Sequence, residues 1–345
     1  MVNEHFIILK SNRGGRKLDR SCLLTIVVPV YNEEAVLETL RERLVKVMDD
    51  LPTRCEAVLV NDGSTDRSLE ILSAFVDADA RFRAVDLARN FGHQYAVSAG
   101  LYIARGDVVA ILDADLQDPP ELIKPMLDRW ADGIDVIFGQ RRSRKGETRF
   151  KLWAARLYYW ILSKIADVEI PKNVGDFRVI DRNVVDTVNA MPENHRFLRG
   201  MFAWIGFRQE AFPYERDARL TGETKYPLMK MIRLSLDGIV SFSMKPLRLL
   251  FYFGMIVTAL AFAGGAYLML LRLISPESFP PGVAGLFVTM LFMFGLNFIF
   301  LGIVGEYIGR SYINLQRRPV VIVRDVLELT GDEKTKSAGK RMGEL

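Results

Sequence analysis

LLTIVVPVYNEE, residues 23–34, is an unbroken apolar run that ends in a turn and two carboxylates. Continuous rather than alternating hydrophobicity marks a strand buried on both faces, the pattern of parallel sheets covered by helices. From Glu34 to Leu51, Val36, Leu37, Leu40, Leu44, Val47 and Met48 recur at helical spacing. The alternation then repeats, with strand-like runs at 57–60, 84–87, 108–112 and 136–138. Helical patterns lie between them at 66–76, 95–104 and 119–130. Strands interleaved with helices at this regularity predict an α/β domain with a mainly parallel sheet. Residues 149–166 read as an amphipathic helix, and 175–220 mix short elements without a legible order.

Ligands of open parallel sheets sit beyond the carboxyl ends of the strands. Those ends carry Pro29–Glu33, Asn61–Ser64 and Asp113-Ala114-Asp115, so three acidic clusters are expected at one rim. In ILDADLQDPPE (111–121), Asp113, Asp115, Asp118 and Glu121 crowd one short stretch. Crowded carboxylates are unfavourable unless a cation or hydrogen-bond donors sit among them. An Asp-x-Asp turn can offer one carboxylate to a hard divalent cation, Mg²⁺ or Mn²⁺, and the other to a ligand hydroxyl. Gln117 adds a carbonyl oxygen. A solvated Asp/Pro turn is the bland alternative, and convergence of the other two strand ends weighs against it.

Half of the 345 residues are hydrophobic, and the net charge is only +4. Charge is unevenly spread: none falls within 249–271 or 280–305. Each run exceeds the roughly 20 helical residues that cross a hydrocarbon core, predicting two transmembrane helices joined by a short loop at 272–281. Two buried core helices would carry a polar stripe that these runs lack. Lys230, Arg233, Lys245 and Arg248 precede the first run, and Arg310, Arg317 and Arg318 follow the second. The excess of flanking cations places everything before residue 248 and both termini on the cytoplasmic side of a plasma (inner) membrane. The basic residues suit an anionic membrane surface rather than nucleic acid. Cys22 and Cys55 are the only cysteines, so no disulfide framework is expected, and the three histidines lack zinc-ligand spacing. The start of the chain has no signal-peptide pattern. The segments read as a basic tail (1–22), an α/β domain (23–225), interfacial amphipathic helices (226–247), a transmembrane hairpin (248–308) and a cytoplasmic tail (309–345).

TIVVPVYNEE (25–34), VNDGSTD (60–66), LDADLQDPPE (112–121), GDFR (175–178) and RLTGETKY (219–226), in this order, resemble family 2 glycosyltransferases of the Rossmann-like GT-A fold. More narrowly, the chain is similar to polyprenyl-phosphate glycosyltransferases, the group of dolichol-phosphate mannose synthases and bactoprenol glucosyltransferases. The two apolar runs and GEYIGR (305–310) resemble the bactoprenol branch, and the likeness extends over about 23–325.

The resemblance implies a nucleotide-sugar donor, a polyprenyl phosphate acceptor and Mg²⁺ or Mn²⁺. It implies that Pro29, Tyr31 and Glu33 cradle base and ribose, that Asp62 reads base or ribose, and that Asp113 and Ala114 touch the nucleoside. Asp115 and Gln117 would bind the metal. Arg141 would reach the donor phosphates or sugar, its alternative being a solvated basic loop. Asp176 stands where the family has its catalytic base, its alternative being an ion pair with Arg178. A phosphate monoester has a second pKa near ~6, so little proton remains for a base to remove. Asp176 is therefore expected to orient the acceptor or to stabilise charge on the anomeric carbon. Arg219 and Lys225 would hold the acceptor phosphate, or else greet lipid headgroups.

Glucose from UDP-glucose is the expected transfer, with GDP-mannose or a modified UDP-sugar as alternatives. The enzyme is expected to be homo-oligomeric. A processive polysaccharide synthase would carry a Gln-x-x-Arg-Trp signature, absent here, and a dinucleotide oxidoreductase a GxGxxG after the first strand. A silent membrane scaffold would have no need of Asp115, Asp176, Arg219 and Lys225 together.

Overall fold

The computed structural model describes residues 16–142, 174–215, 245–274 and 283–329. They fall into two units, an α/β unit closed by the stretch after residue 318 and a unit that includes the helices at 245–274 and 283–315.

In the α/β unit, β1 (Leu23–Val30), β2 (Arg54–Asn61), β3 (Phe82–Leu87) and β4 (Val108–Ile111) run parallel. Helices α1 (Leu37–Asp50), α2 (Ser68–Ala78) and α3 (His93–Ile103) connect them. A 3₁₀ turn at Pro120–Leu122 leads into α4 (Ile123–Ala131) and then β5 (Val136–Arg141). Next come β6 (Val174–Asp181), α5 (Arg182–Ala190), α6 (Leu198–Trp204) and β7 (Gln209–Tyr214). The last strand is β8 (Val323–Leu327). The sheet order is β7-β5-β6-β4-β1-β2-β3-β8.

Four of the seven pairings are parallel. β6 runs antiparallel to both β4 and β5, and β8 runs antiparallel to β3. The mainly parallel sheet expected from the sequence is thus a mixed one. The cause is the insertion of β6 between β4 and β5, whose connection through α4 alone would have made them neighbours. β6 escaped the sequence pattern because it buries charges, Asp176, Arg178 and Asp181, among Phe177, Val179 and Ile180.

Helices cover both faces. On one, α1 buries Leu37, Leu40, Leu44, Val47 and Met48, each contributing roughly 2 kcal/mol. With Leu72 and Phe75 of α2 and Met126, Leu127 and Trp130 of α4, they pack on Leu24, Ile26, Val28, Leu59 and Val179. On the other, α3 lies so close to β1 that a Cβ on Gly100 would stand 2.3 Å from Val27.

The described residues of both terminal segments make specific contacts with the α/β unit. The Arg16 guanidinium donates to the carbonyls of Trp130 and Ile134 and pairs with Asp135 and Asp181. Part of the stretch read as a cytoplasmic tail returns as β8 and covers the edge of β3, where unpaired backbone groups would invite aggregation. At the amino edge of the sheet, buried Glu56 accepts from Thr25 Oγ1 (2.6 Å) and the Arg105 amide (3.0 Å), and lies 3.4 Å from Arg83 Nη1. Arg83 and Arg105 each reach Glu328, just beyond β8, at 2.9 Å.

The second unit contains α7 (Lys245–Ile274, 30 residues) and α8 (Val283–Leu315, 33 residues), in contact through Phe253 and Phe300, ring centroids 5.8 Å apart. Among the described residues one segment, Phe292–Leu315, is long and apolar enough to cross a membrane, and Leu247–Val257 is a shorter apolar run. Of the interfacial stretch only 245–247, the start of α7, is described, and the helix expected at 149–166 lies outside the described residues.

Glu56→Ala would leave the Arg83 guanidinium buried with one carboxylate fewer and strip acceptors from Thr25 and Arg105. Removing one partner of a buried pair costs about 3 kcal/mol. The expected outcome is a clear drop in the urea midpoint of the purified full chain, with Glu56→Gln losing less because it keeps an acceptor oxygen.

Candidate active site

The carboxyl ends of β1, β2 and β4 meet at one rim because the three strands are adjacent and parallel. The first two loops are laced together. Asn32, in the left-handed region (φ 55°), accepts from the Thr65 amide (2.8 Å), while its own amide donates to Ser64 Oγ (3.1 Å). Gly63 (φ 63°) admits the backbone of Arg89, which a Cβ would meet at 2.5 Å. Tyr31 stands exposed at this rim and Glu33 is half-buried beside it, whereas Pro29 lies buried inside β1.

Asp62 is committed to the next loop. Its carboxylate accepts from the amides of Phe91 (2.7 Å) and Gly92 (2.9 Å), fixing the residues that launch α3. Burial raises its pKa, only partly offset by those two bonds.

The Asp113–Asp118 turn is tight, with Leu116 at φ 57° and Asp115 Oδ1 accepting from the Gln117 amide at 3.1 Å. Ala114 is buried and Gln117 half-buried. Asp118 accepts a hydrogen bond from the Tyr214 hydroxyl, and Arg141 Nη2 lies 3.9 Å from its other oxygen. Arg141 also lies against Gly175, where a Cβ would meet its Nη2 at 2.7 Å. That contact places it beside the turn rather than in a solvated loop. Asp113 Oδ1 is buried without a hydrogen-bond partner, 3.5 Å from His93 Nε2. Burial raises the Asp113 pKa to about 6, against the opposing charge of His93.

The deepest cluster surrounds Asp176 of β6. Arg199 of α6 grips its two oxygens through Nε (2.9 Å) and Nη2 (3.1 Å). His93 Nε2 and Gln94 Nε2, from the first turn of α3, each lie 3.1 Å from Oδ2. Gln94 Oε1 in turn accepts from the Leu198 amide at 3.1 Å, tying α3 to α6. Burial works against the Asp176 charge, but Arg199 and His93 hold its pKa well below the usual carboxylate range. For His93, burial likewise opposes protonation, and the hydrogen bond to Asp176 with the charge of Asp113 lifts its pKa to about 9. Arg178 is not the carboxylate's partner. It donates to the carbonyls of Asp176 and Gly175 and stacks 4.4 Å above Phe202, and burial lowers its pKa to about 10.

Among the described residues no group of three or more His, Cys, Asp or Glu side chains is arranged to chelate a metal. The donors at this turn fit a divalent cation of another kind. Mg²⁺ commonly binds through one or two carboxylates and completes its shell with substrate phosphates. Asp115 and Gln117 offer oxygens, and the partnerless buried oxygen of Asp113 suits a cation or a ligand hydroxyl.

The structure therefore brings together Tyr31, Glu33, Asp62, Asp113, Ala114, Asp115, Gln117, Arg141 and Asp176 around one rim. Arg219 and Lys225 lie outside the described residues. Sequence reasoning missed His93, Gln94, Arg199 and Tyr214. FGHQ (91–94) begins four residues after the third strand's end at Leu87, in the loop region where rim residues are expected. Arg199 offered no such signal, because α6 is a single short helix in a stretch without legible periodicity.

Residues 25–188 match the family model described as Glycosyl transferase family 2. An uncharacterized glycosyltransferase of Bacillus subtilis, YkcC, is 45% identical over 89% of this chain and 95% of its own. A prophage bactoprenol glucosyl transferase homolog of Escherichia coli is 37% identical over 88% of this chain and 99% of its own. An SfII prophage-derived bactoprenol glucosyl transferase of Shigella flexneri is 36% identical over 87% and 97%.

A His93 pKa of about 9 predicts an imidazole that stays protonated at neutral pH, and histidine-labelled NMR would read it directly. Asp176→Asn should return it towards the model-peptide value near ~6.5. Because the folded pKa is raised, this group's stabilisation is complete below about pH 6.5 and is lost as pH rises through 9. The melting temperature of the wild type should fall across that window more than that of His93→Gln.

Proposed function

The chain belongs to glycosyl transferase family 2, and we propose that it moves glucose from UDP-glucose onto the phosphate of a membrane polyprenyl phosphate, inverting the anomeric carbon. The observation that carries the acceptor and the sugar is the 36–37% identity, over 87–88% of the chain, to relatives named bactoprenol glucosyl transferases. Its fold is the Rossmann-like GT-A sheet of that family, here mixed.

Tyr31 and Glu33 border the surface for base and ribose, while Asp62 shapes the loop beside it through Phe91 and Gly92. Asp113 accepts a nucleoside hydroxyl. Asp115 and Gln117 would hold Mg²⁺ or Mn²⁺, which when bound neutralises charge on the departing nucleoside diphosphate. Arg141, fixed by Tyr214 and Asp118, reaches towards the diphosphate. A phosphate oxygen of the acceptor attacks the anomeric carbon from the face opposite the diphosphate. The carbon–oxygen bond to the diphosphate breaks, and its electron pair leaves with the nucleoside diphosphate. No proton need move, since the monoester is largely dianionic above its second pKa of ~6. Asp176, held ionised, organises charge rather than removing a proton.

The acceptor's tail stays in lipid, so the active site works at a bilayer surface. We assign α7 and α8 as two spans, with 275–282 outside and the catalytic unit cytoplasmic. Lys245, Arg248, Arg310, Arg317 and Arg318 at the cytoplasmic flanks support that orientation.

Purified full-length protein with undecaprenyl phosphate should transfer label into extractable lipid from UDP-glucose, and not from UDP-galactose or GDP-mannose. EDTA should abolish transfer, and Asp115→Asn should lower it by about a hundredfold or more, several kcal/mol of lost charge stabilisation. A folded, nucleotide-binding protein that transfers from none of these donors would refute the reading. For topology, Ser275→Cys in intact cells should react with a membrane-impermeant maleimide while Arg317→Cys does not; the reverse pattern would invert the orientation.

A further inference from the structure

Asp176 is gripped by four donor groups, two from Arg199 and one each from His93 and Gln94. A carboxylate so engaged on both oxygens has little lone-pair capacity left for a substrate. What the arrangement accomplishes is to fix two cationic side chains in one place. Both retain solvent-facing surface, His93 at 42% exposure and Arg199 at 32%. An imidazole that gives Nε2–H to a carboxylate carries its other nitrogen on the far edge of the ring. The His93 Nδ1 makes no hydrogen bond among the described residues. Held through Nε2 at two carboxylates, 3.5 Å from Asp113 and 3.1 Å from Asp176, the ring directs Nδ1 away from both.

We propose that His93 Nδ1, with the Arg199 guanidinium beside it, seats an oxygen of the acceptor's phosphate, and that Asp176 acts by positioning this pair. The assignment rests on the reaction proposed above and names two residues that neither the family's motifs nor the sequence pattern supplied. His93 enters from α3, after β3, and it is the placement of its two partners that favours acceptor over donor. Asp176 and Arg199 belong to β6 and α6, and β6 lies on the far side of β4 from β1 and β2, whose loops border the nucleoside surface. An inverting displacement needs its nucleophile on the side of the sugar opposite the diphosphate, and an anion seat beyond the Asp113 turn meets that need. It supplements, rather than replaces, the cations expected at Arg219 and Lys225.

The substitution that separates the two duties of His93 is His93→Gln. Its amide nitrogen can replace Nε2 on Asp176, but it has neither the charge nor a group at Nδ1. In the full-length protein loaded with UDP and metal, we expect His93→Gln to raise KM for undecaprenyl phosphate about tenfold or more, the scale of a charge-assisted hydrogen bond. KM for UDP-glucose and UDP affinity by calorimetry should stay within twofold. Arg199→Lys, which keeps the charge, should raise the acceptor KM less than Arg199→Gln. Binding of inorganic phosphate, followed by ³¹P NMR on the UDP-loaded protein, reads the seat without turnover and should weaken in parallel.

A His93→Gln enzyme with wild-type acceptor KM and phosphate affinity, where His93→Ala is impaired, would reduce His93 to a support for Asp176 and overturn the proposal. Loss of UDP affinity with acceptor KM unchanged would also overturn it, by moving the seat to the donor. Absence of phosphate binding by the wild type would do the same. If the wild type binds phosphate through His93 yet transfers no glucose to lipid, the seat stands and the proposed reaction falls.

Discussion

Carboxylates gathered at one sheet edge repel one another, and the site depends on how each is answered. Asp62 is answered by two backbone amides, Asp118 by the Tyr214 hydroxyl, and Asp176 by Arg199, His93 and Gln94. These three are fixed parts of the scaffold. Asp113 is answered least directly, through His93 3.5 Å from its buried Oδ1, just as the second oxygen of Asp118 has Arg141 at 3.9 Å. The donor pattern thus separates carboxylates that hold loops or cations from oxygens at the Asp113–Asp118 turn that face a counter-charge without a close hydrogen bond. His93 is the hinge of this division, because one ring faces both Asp113 and Asp176 and links the end of β4 to β6.

The amino edge of the sheet uses the same physics for a different end. Glu56, Arg83, Arg105 and Glu328 alternate in sign across β2, β3, the turn before β4 and the segment after β8. Buried pairs of this kind add little net stability over apolar packing, but breaking one is costly. Their value here is register. Asp86, paired with Arg324 and receiving the Asn61 amide, repeats the device one step nearer the rim. The Ile322 carbonyl, just before β8, and the Arg324 side chain within it also reach Ala88, at the start of the loop that Asp62 holds and that delivers His93. A strand from the end of the chain is therefore part of what shapes the site.

How much of this was legible in the sequence follows from where periodicity survives. β1 to β5 and α1 to α4 declared themselves because their apolar residues repeat at fixed spacing, and their ends came within a few residues. The rim of three acidic strand ends followed from parallel pairing alone. β6 did not declare itself, since Asp176, Arg178 and Asp181 are buried by pairing and stacking that only the fold supplies. β8 was hidden because five residues of mixed polarity after an apolar run look like a tail. Arg178, two residues from Asp176, looked like its partner. Alternation along a strand puts i and i+2 on the same face, yet Arg199, from a separate helix, takes the carboxylate. Proximity in sequence and in charge space diverge most where several elements meet, and the active site is such a place.

The state of Asp176 bears on the class of acceptor. A transferase that glycosylates a hydroxyl needs a base with an available lone pair and a pKa not far from the working pH. Asp176 suits that task poorly, because four donors engage its two oxygens and its pKa is held well below the ordinary carboxylate range. A phosphate acceptor arrives already ionised and asks instead for cations to gather it against a rim of carboxylates. A carboxylate that gives up basicity to hold an imidazolium and a guanidinium is poorly suited to the first task and well suited to the second. The state of this one side chain therefore supports the phosphate acceptor proposed above.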